Sequence, residues 1–332
     1  MTTTLDLDDQ TTAEKTIAEH LDTIKKWGGN TAAFVALDPR SGDILSMVGS
    51  ADYFDKDHSG QVNFTLARRS PGSALKPFLY AMALDEGIVV PDSYVLDIPT
   101  DFSGYVAENY DSKYRGRITL ENALILSLNA PAVRMLSQVG LKDFHDMLLK
   151  AGLSTLDRPS NKYGLPLILG AGEVRLLDLA NLYATLAAGG GHEPLIVTED
   201  ANPDAAAAEL FSPEASYLIT EILTGLKRPD MPSNTWALTE DIPEVAWKTG
   251  TSYGHRDAWS LGFSNKYTIG VWVGNPDGRG QKGISGSEHA APILFDVFRS
   301  IEGDGSRISR PEGLGIGTIE VCRESHLLPT PY

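Results

Sequence analysis

The chain has 332 residues, 42% hydrophobic and 22% charged, the balance of an ordinary globular protein long enough to bury a large core. A formal net charge of −16 argues against nucleic acid and anionic membrane surfaces as partners, because both would repel it. The single cysteine, Cys322, excludes an intramolecular disulfide, and the seven histidines show no metal-ligand spacing, so neither a metal nor a cofactor is expected.

In chain order, residues 11–27 carry apolar side chains at Ile17, Ala18, Leu21, Ile24 and Trp27, a helical spacing that Gly28-Gly29 ends. Residues 32–37 read as a strand, Asp38-Pro39-Arg40-Ser41-Gly42 as a turn and residues 43–48 as a second strand, together a β-hairpin. A helix over 75–85 is entered through Ser70-Pro71-Gly72 and stopped by Gly87. Residues 89–115, rich in Asp, Pro, Gly and Tyr, read as irregular. Helical patterns dominate 120–188, with helices over 120–127, 130–139 and 176–188. The alanines of 204–208 read as a surface loop or short helix, and an amphipathic helix covers 212–226. Strands over 245–252, 258–264 and 267–273 and a helix over 290–301 close the pattern.

Strands at both ends with helices between them predict an α+β fold: an antiparallel sheet, completed by distant segments and flanked by helices, with a mostly helical lobe inserted. We expect one domain over 1–332, with a sheet lobe from 30–72 plus 210–332 and a helical lobe from 73–209. No stretch approaches the roughly 18–20 apolar residues that span a bilayer. No secretory leader is visible at Met1-Thr2-Thr3-Thr4-Leu5, so read literally the chain is cytoplasmic.

Three short motifs carry the chemistry. In Ser70-Pro71-Gly72-Ser73-Ala74-Leu75-Lys76, a serine precedes a lysine by one helical turn. At a helix start Lys76 can hold its amine beside the Ser73 oxygen, and a lysine that loses its hydration becomes neutral enough to act as a base. The positive end of the helix then faces the reacting centre. In Ser127-Leu128-Asn129, alternate residues point one way, so Ser127 can relay a proton while the Asn129 amide holds a substrate peptide group. In Lys248-Thr249-Gly250-Thr251, the bare Gly250 leaves room for a substrate backbone to lie along a strand. Lys248, Thr249 and Thr251 offer charge and donors for a carboxylate, and the N–H groups of Thr251 and Ser73 form a candidate oxyanion hole. Each motif alone is weak. S-x-x-K, S-x-N and K-T-G in this order are specific to penicillin-binding proteins and serine β-lactamases.

Nearly the whole chain resembles the transpeptidase domain of class A penicillin-binding proteins, closest to type 1C. Beyond the motifs, the likeness includes Ala36-Leu37-Asp38-Pro39-Arg40-Ser41-Gly42-Asp43, Glu108-Asn109-Tyr110-Asp111, Gly170-Ala171-Gly172-Glu173-Val174 and Asp257-Ala258-Trp259. The resemblance implies acyl transfer on peptidoglycan stem peptides. Ser73 would attack the D-Ala-D-Ala bond, with Lys76 as base, Ser127 as proton shuttle and Asn129 as clamp. Lys248, Thr249 and Thr251 would hold the terminal carboxylate, and β-lactams would acylate Ser73. Full-length relatives carry a membrane anchor and a glycosyltransferase domain and act at the periplasmic face of the inner membrane. Type 1C adds a small C-terminal domain. The chain is therefore expected to be a segment of a longer protein rather than a free-standing relative.

Two other functions remain open on the sequence. A serine β-lactamase shares all three motifs and adds a glutamate that activates water. Glu173 lies in the right interval but reads as the first-turn acid of a helix over 173–181. A non-catalytic sensor would bind β-lactam or peptide without turning either over.

Overall fold

The computed structural model describes residues 2–102, 104–200, 207–231, 242–303, 305–320 and 322. The chain enters through α1 (Leu7–Lys26), β1 (Thr31–Leu37) and β2 (Ile44–Val48). It continues through α2 (Lys76–Asp85), the hairpin β3 (Tyr94–Asp97) and β4 (Gly116–Thr119), α3 (Leu120–Ile125), α4 (Asn129–Val139), α5 (Leu141–Lys150) and α6 (Leu176–Ala187). The short pair β5 (Gly191–His192) and β6 (Ala208–Glu209), then α7 (Pro213–Thr224), lead to β7 (Ala246–Thr251), β8 (Asp257–Phe263), β9 (Thr268–Gly274) and α8 (Ala291–Ile301).

Helix α1 begins at Leu7, earlier than its apolar stripe, because Asp6 caps it. The Asp6 carboxylate accepts the backbone N–H of Asp8 (2.9 Å) and Asp9 (3.0 Å). Ala13, Ile17 and Ile24 form its buried face. The fold is α+β, and its main sheet is antiparallel with strand order β2-β1-β9-β8-β7. Both ends of the chain thus build one sheet, with β7 on its outer edge.

The register assigns each face. Lys248, Leu261, Gly270 and Val35 are aligned across β7, β8, β9 and β1, and residues directly opposite one another point the same way. That face meets α6: a Cβ on Gly270 would stand 2.9 Å from Leu176 and 3.2 Å from Ala180. Trp247, one residue out of phase, takes the other face and packs edge-on against Phe295 of α8 at 5.0 Å. With helices on both sides, all seven residues of β1 are buried, which explains its unbroken run Thr-Ala-Ala-Phe-Val-Ala-Leu.

Four expectations change. Residues 89–115 are not wholly irregular, since β3 lies within them and pairs with β4 from Tyr94↔Thr119 to Asp97↔Gly116. Helix α6, counted by sequence with the helical lobe, lies against the sheet. It also starts at Leu176, so Glu173 is not in its first turn. Arg175 at the N-cap bonds the true first-turn acid, Asp178, at 2.6 Å. Of the alanine run 204–208, residues 204–206 fall outside the described residues, and Ala208 opens β6.

Candidate active site

A 3-10 turn, Gly72–Leu75, carries Ser73 and leads directly into α2, whose first residue is Lys76. Two glycines allow the edge of β7 to touch this turn backbone to backbone. A Cβ on Gly250 would stand 2.2 Å from the Pro71 carbonyl oxygen, and one on Gly72 (φ +55°) 2.4 Å from the Thr251 oxygen. Gly250 therefore makes room for the serine turn, not for a substrate backbone as its place in a strand suggests. Polar groups pin the turn on its other sides. Trp259 Nε1 donates to the Ser70 carbonyl (2.7 Å), Ser70 Oγ to the Gly170 carbonyl (2.7 Å), and the Tyr183 hydroxyl to the Ala74 carbonyl (2.7 Å). Arg69 and Val174 exchange backbone hydrogen bonds just upstream.

Lys76 and Lys248 are both fully buried. Lys76 Nζ donates to the Ser127 carbonyl (2.6 Å) and to Asn129 Oδ1 (2.7 Å). Lys248 Nζ donates to the Ser127 hydroxyl (2.8 Å) and the Thr249 carbonyl (3.0 Å). Ser127 reaches both because its backbone is left-handed, with φ at +54°, a conformation that non-glycine residues rarely adopt. Burial, with the Lys248 charge beside it, holds Lys76 well below the ordinary lysine value. Burial alone pushes Lys248 down to about 7. The structure thus gathers Lys76, Ser127, Asn129 and Lys248 from three segments into one hydrogen-bonded cluster, which Lys76 joins three residues after Ser73.

Asn129 is itself held in place. Its Nδ2 donates to the Glu108 carbonyl (2.7 Å), and its backbone N–H donates to the buried Asn109 side-chain oxygen (2.7 Å). Asn109 Nδ2 in turn donates to buried Asp97 (2.7 Å) and to the Lys113 carbonyl (2.8 Å).

Along β7, Ser252 N–H donates to the Asp257 carbonyl (3.0 Å) in continuation of the β7–β8 register. Ladder alternation then turns the N–H groups of Thr249 and Thr251 away from β8, to the outer edge. Thr251 N–H joins Ser73 N–H as a candidate donor pair beside the turn. The hydroxyl of Thr251 accepts the Gly286 N–H (3.1 Å). The Thr249 side chain points to Gly286, on the opposite face from Lys248. Of the residues assigned to carboxylate binding, Lys248 stands with the serine cluster and the Thr249 hydroxyl does not.

A cleft of about 810 Å³ opens over these groups. Ser70, Ser73, Asn129 and Thr251 line its floor side, and Tyr105, Glu108, Tyr110, Tyr253 and His255 are among its other walls. Glu173 is exposed and does not line it.

A family model described as "Penicillin binding protein transpeptidase domain" matches residues 32–294. The chain belongs to this family. In keeping with the resemblance to type 1C, the transpeptidase domain is 38% identical over 270 residues to Penicillin-binding protein 1C of Escherichia coli (strain K12), across 81% of this chain and 34% of that protein. It is 28% identical to Penicillin-binding protein 1A of Neisseria cinerea, across 90% of this chain and 40% of that one. The chain thus spans well under half the length of either relative. Among solved structures, PonA1 of Mycobacterium tuberculosis in complex with penicillin V superposes with a TM-score of 0.76 at 23% identity, covering 100% of this chain and 91% of that one. Penicillin-Binding Protein 1A of Haemophilus influenzae gives 0.76 at 23% identity, with 91% and 52% covered. At that identity the likeness speaks for the fold.

Several residues that hold the transpeptidase domain's cluster carry no local signal. Asn109 acts 20 residues away on Asn129, Tyr183 acts 109 residues away on Ala74, and Trp259 acts 189 residues away on Ser70. In the sequence, Asn109 and Trp259 stand out only as members of runs that resemble the family. Tyr183 reads as one more apolar position of its helix.

Proposed function

We propose that this transpeptidase domain cross-links peptidoglycan stem peptides through an acyl-enzyme on Ser73. The observation that carries this reading is the pair of fully buried lysine amines, both with depressed proton affinity, that meet at Ser127 behind the serine turn. Neutral Lys76 takes the proton of Ser73 as the hydroxyl oxygen attacks the carbonyl carbon of the D-Ala-D-Ala bond. The Ser73 and Thr251 N–H groups hold the oxyanion. As the peptide bond breaks, the departing D-Ala nitrogen receives a proton through Ser127 and leaves as an amine. An amine of a neighbouring stem then attacks the ester, gives up a proton, and Ser73 leaves with its hydroxyl restored.

Asn129 steadies the substrate peptide. The terminal carboxylate lies along the outer edge of β7, where Thr249 and Thr251 present their backbone N–H groups and Thr251 lines the cleft, and Lys248 supplies positive charge from behind the wall. A β-lactam, which mimics the dipeptide, stops at the ester. Residues 1–332 form a single transpeptidase domain of two lobes, working at the periplasmic face of the inner membrane within a longer protein whose glycosyltransferase and C-terminal domains lie elsewhere. No helix among the described residues is long and apolar enough to cross a membrane.

Intact-mass spectrometry after benzylpenicillin, followed over hours, tests the reading. One adduct per chain that persists is expected, with none in Ser73→Ala. Rapid loss of the adduct with continued penicillin hydrolysis would make the protein a β-lactamase. A stable adduct without transfer from any D-Ala-D-Ala donor to an amine would make it a sensor.

A further inference from the structure

The cleft has one carboxyl side chain on its wall and no lysine or arginine. Among its lining residues Glu108 is the only carboxylate, and the two lysine amines lie behind the wall, not on it. The backbone directs this acid outward. Ala107 and Asn109 are buried, Glu108 and Tyr110 are exposed, and alternation in an extended segment sends the latter two toward the cleft. The segment is rigid, because the Asn109 side chain bonds Asn129, Ala130, Asp97 and Lys113, and the Glu108 carbonyl bonds Asn129 Nδ2 at 2.7 Å. Glu108 is therefore anchored one hydrogen bond from the lysine cluster. Its carboxylate has no partner among the described residues, whereas nearby Asp97 and Asp111 are bonded to Asn109 and Arg115.

Aromatic side chains share the cleft with the acid. Tyr105, Tyr110 and Tyr253 line the same cleft, and Tyr110 meets the His255 ring edge-on at 5.9 Å. Tyr253 is 97% exposed and Tyr110 79%. A carboxylate among electron-rich ring faces is the chemistry that binds an alkylammonium group: the carboxylate supplies the charge, and the tyrosines attract the cation through their quadrupoles while covering its carbons.

We propose that Glu108, with Tyr110 and Tyr253 beside it, is the ammonium-binding wall of the cleft and holds the amine of the acceptor stem before it attacks the acyl-enzyme. The assignment rests on the transpeptidase reading and adds the side of the cleft from which the acceptor enters. An ammonium on the donor's own side chain has the same chemistry, so the test must separate the two.

A thioester donor that releases a thiol on acylation reports the first half-reaction, and product analysis reports how the acyl group then divides between water and added amine. Glycinamide, largely cationic at neutral pH, is compared with hydroxylamine, largely neutral there. Glu108→Gln is expected to lower the share taken by glycinamide about fivefold more than the share taken by hydroxylamine, the scale of an exposed ion pair. The wild-type preference for glycinamide is expected to shrink as salt is raised. Equal loss with both amines would mean a structural role and overturn the proposal. A loss confined to acylation by a donor bearing a side-chain ammonium would move the contact to the donor and also overturn it. Absence of any acyl-enzyme in the wild type would instead defeat the transpeptidase reading itself.

Discussion

Two buried lysine amines packed around one serine, Lys76 on the Ser127 carbonyl and Lys248 on its hydroxyl, are costly for the fold, and that cost depends on pH. An unfolded lysine titrates near 10.5, and Lys248 in the fold at about 7. Above 10.5 both states are neutral and burial carries no penalty. As pH falls through the window only the unfolded chain gains the proton, so stability is lost progressively until about pH 7 and stays lost below it. Lys248→Met should therefore stabilise the fold at pH 7, by several kcal/mol at most, seen as a higher thermal midpoint, and the gain should fade toward pH 10.5. A midpoint that drops at pH 7 would contradict the buried-cation account. The same variant should acylate poorly with anionic β-lactams and less poorly with their esters. For Lys76→Met the expectation is an acylation rate lower by roughly 10²–10⁴-fold. In the wild type burial and the Lys248 charge keep Lys76 neutral, so acylation should already be near its plateau at pH 7 and not wait for the ordinary lysine value. A rate that keeps rising tenfold per pH unit up to about pH 10.5 would remove Lys76 as the base.

At the scale of elements, the site is a contact between one turn and one strand edge. Gly250→Ala forces a carbon within 2.2 Å of the Pro71 oxygen, a backbone atom that cannot step aside as a side chain would. The expected outcome is destabilisation of about 1–3 kcal/mol together with a large drop in acylation, measured by thermal melting and penicillin labelling. Retention of both would show that the turn and strand do not depend on this contact. The motifs were legible because each packs its residues within one turn or one strand, where spacing decides which side chains share a face. The direction of Gly250 was not legible, since a bare α-carbon looks the same whether it faces substrate or Pro71. Nor was the start of α6: Glu173 and Asp178 both suit a first turn, and the bridge between Arg69 and Val174 keeps the backbone extended until Leu176. Strands β3 and β4 are four residues each, too short for alternation to stand out from a polar loop.

Across the whole molecule, the cleft joins segments near residues 70, 108, 129, 170 and 252, so a group bound there ties distant parts of the chain together. A ligand that reacts only with the folded state shifts unfolding to higher temperature. Saturating penicillin should accordingly raise the midpoint of the wild type and leave Ser73→Ala unmoved. A rise of equal size in both would locate the binding energy outside the ester. The acyl-enzyme should also be long-lived, because Glu173 is exposed and away from the cleft. Glu173→Gln should leave deacylation unchanged, and slower deacylation in that variant would restore the β-lactamase reading.

The indole of Trp259 is fully buried, and its N–H is spent on the carbonyl of Ser70, three residues before Ser73. Indole emission follows the polarity and hydrogen bonding around that N–H. The chain therefore contains its own optical reporter: a shift of the serine turn during acylation would change the ultraviolet fluorescence of the unlabelled protein. Substitution of Trp259 by phenylalanine should abolish that signal while the other tryptophans, such as Trp247 against Phe295, keep their glow, and stopped-flow mixing could then time ester formation without a coloured substrate.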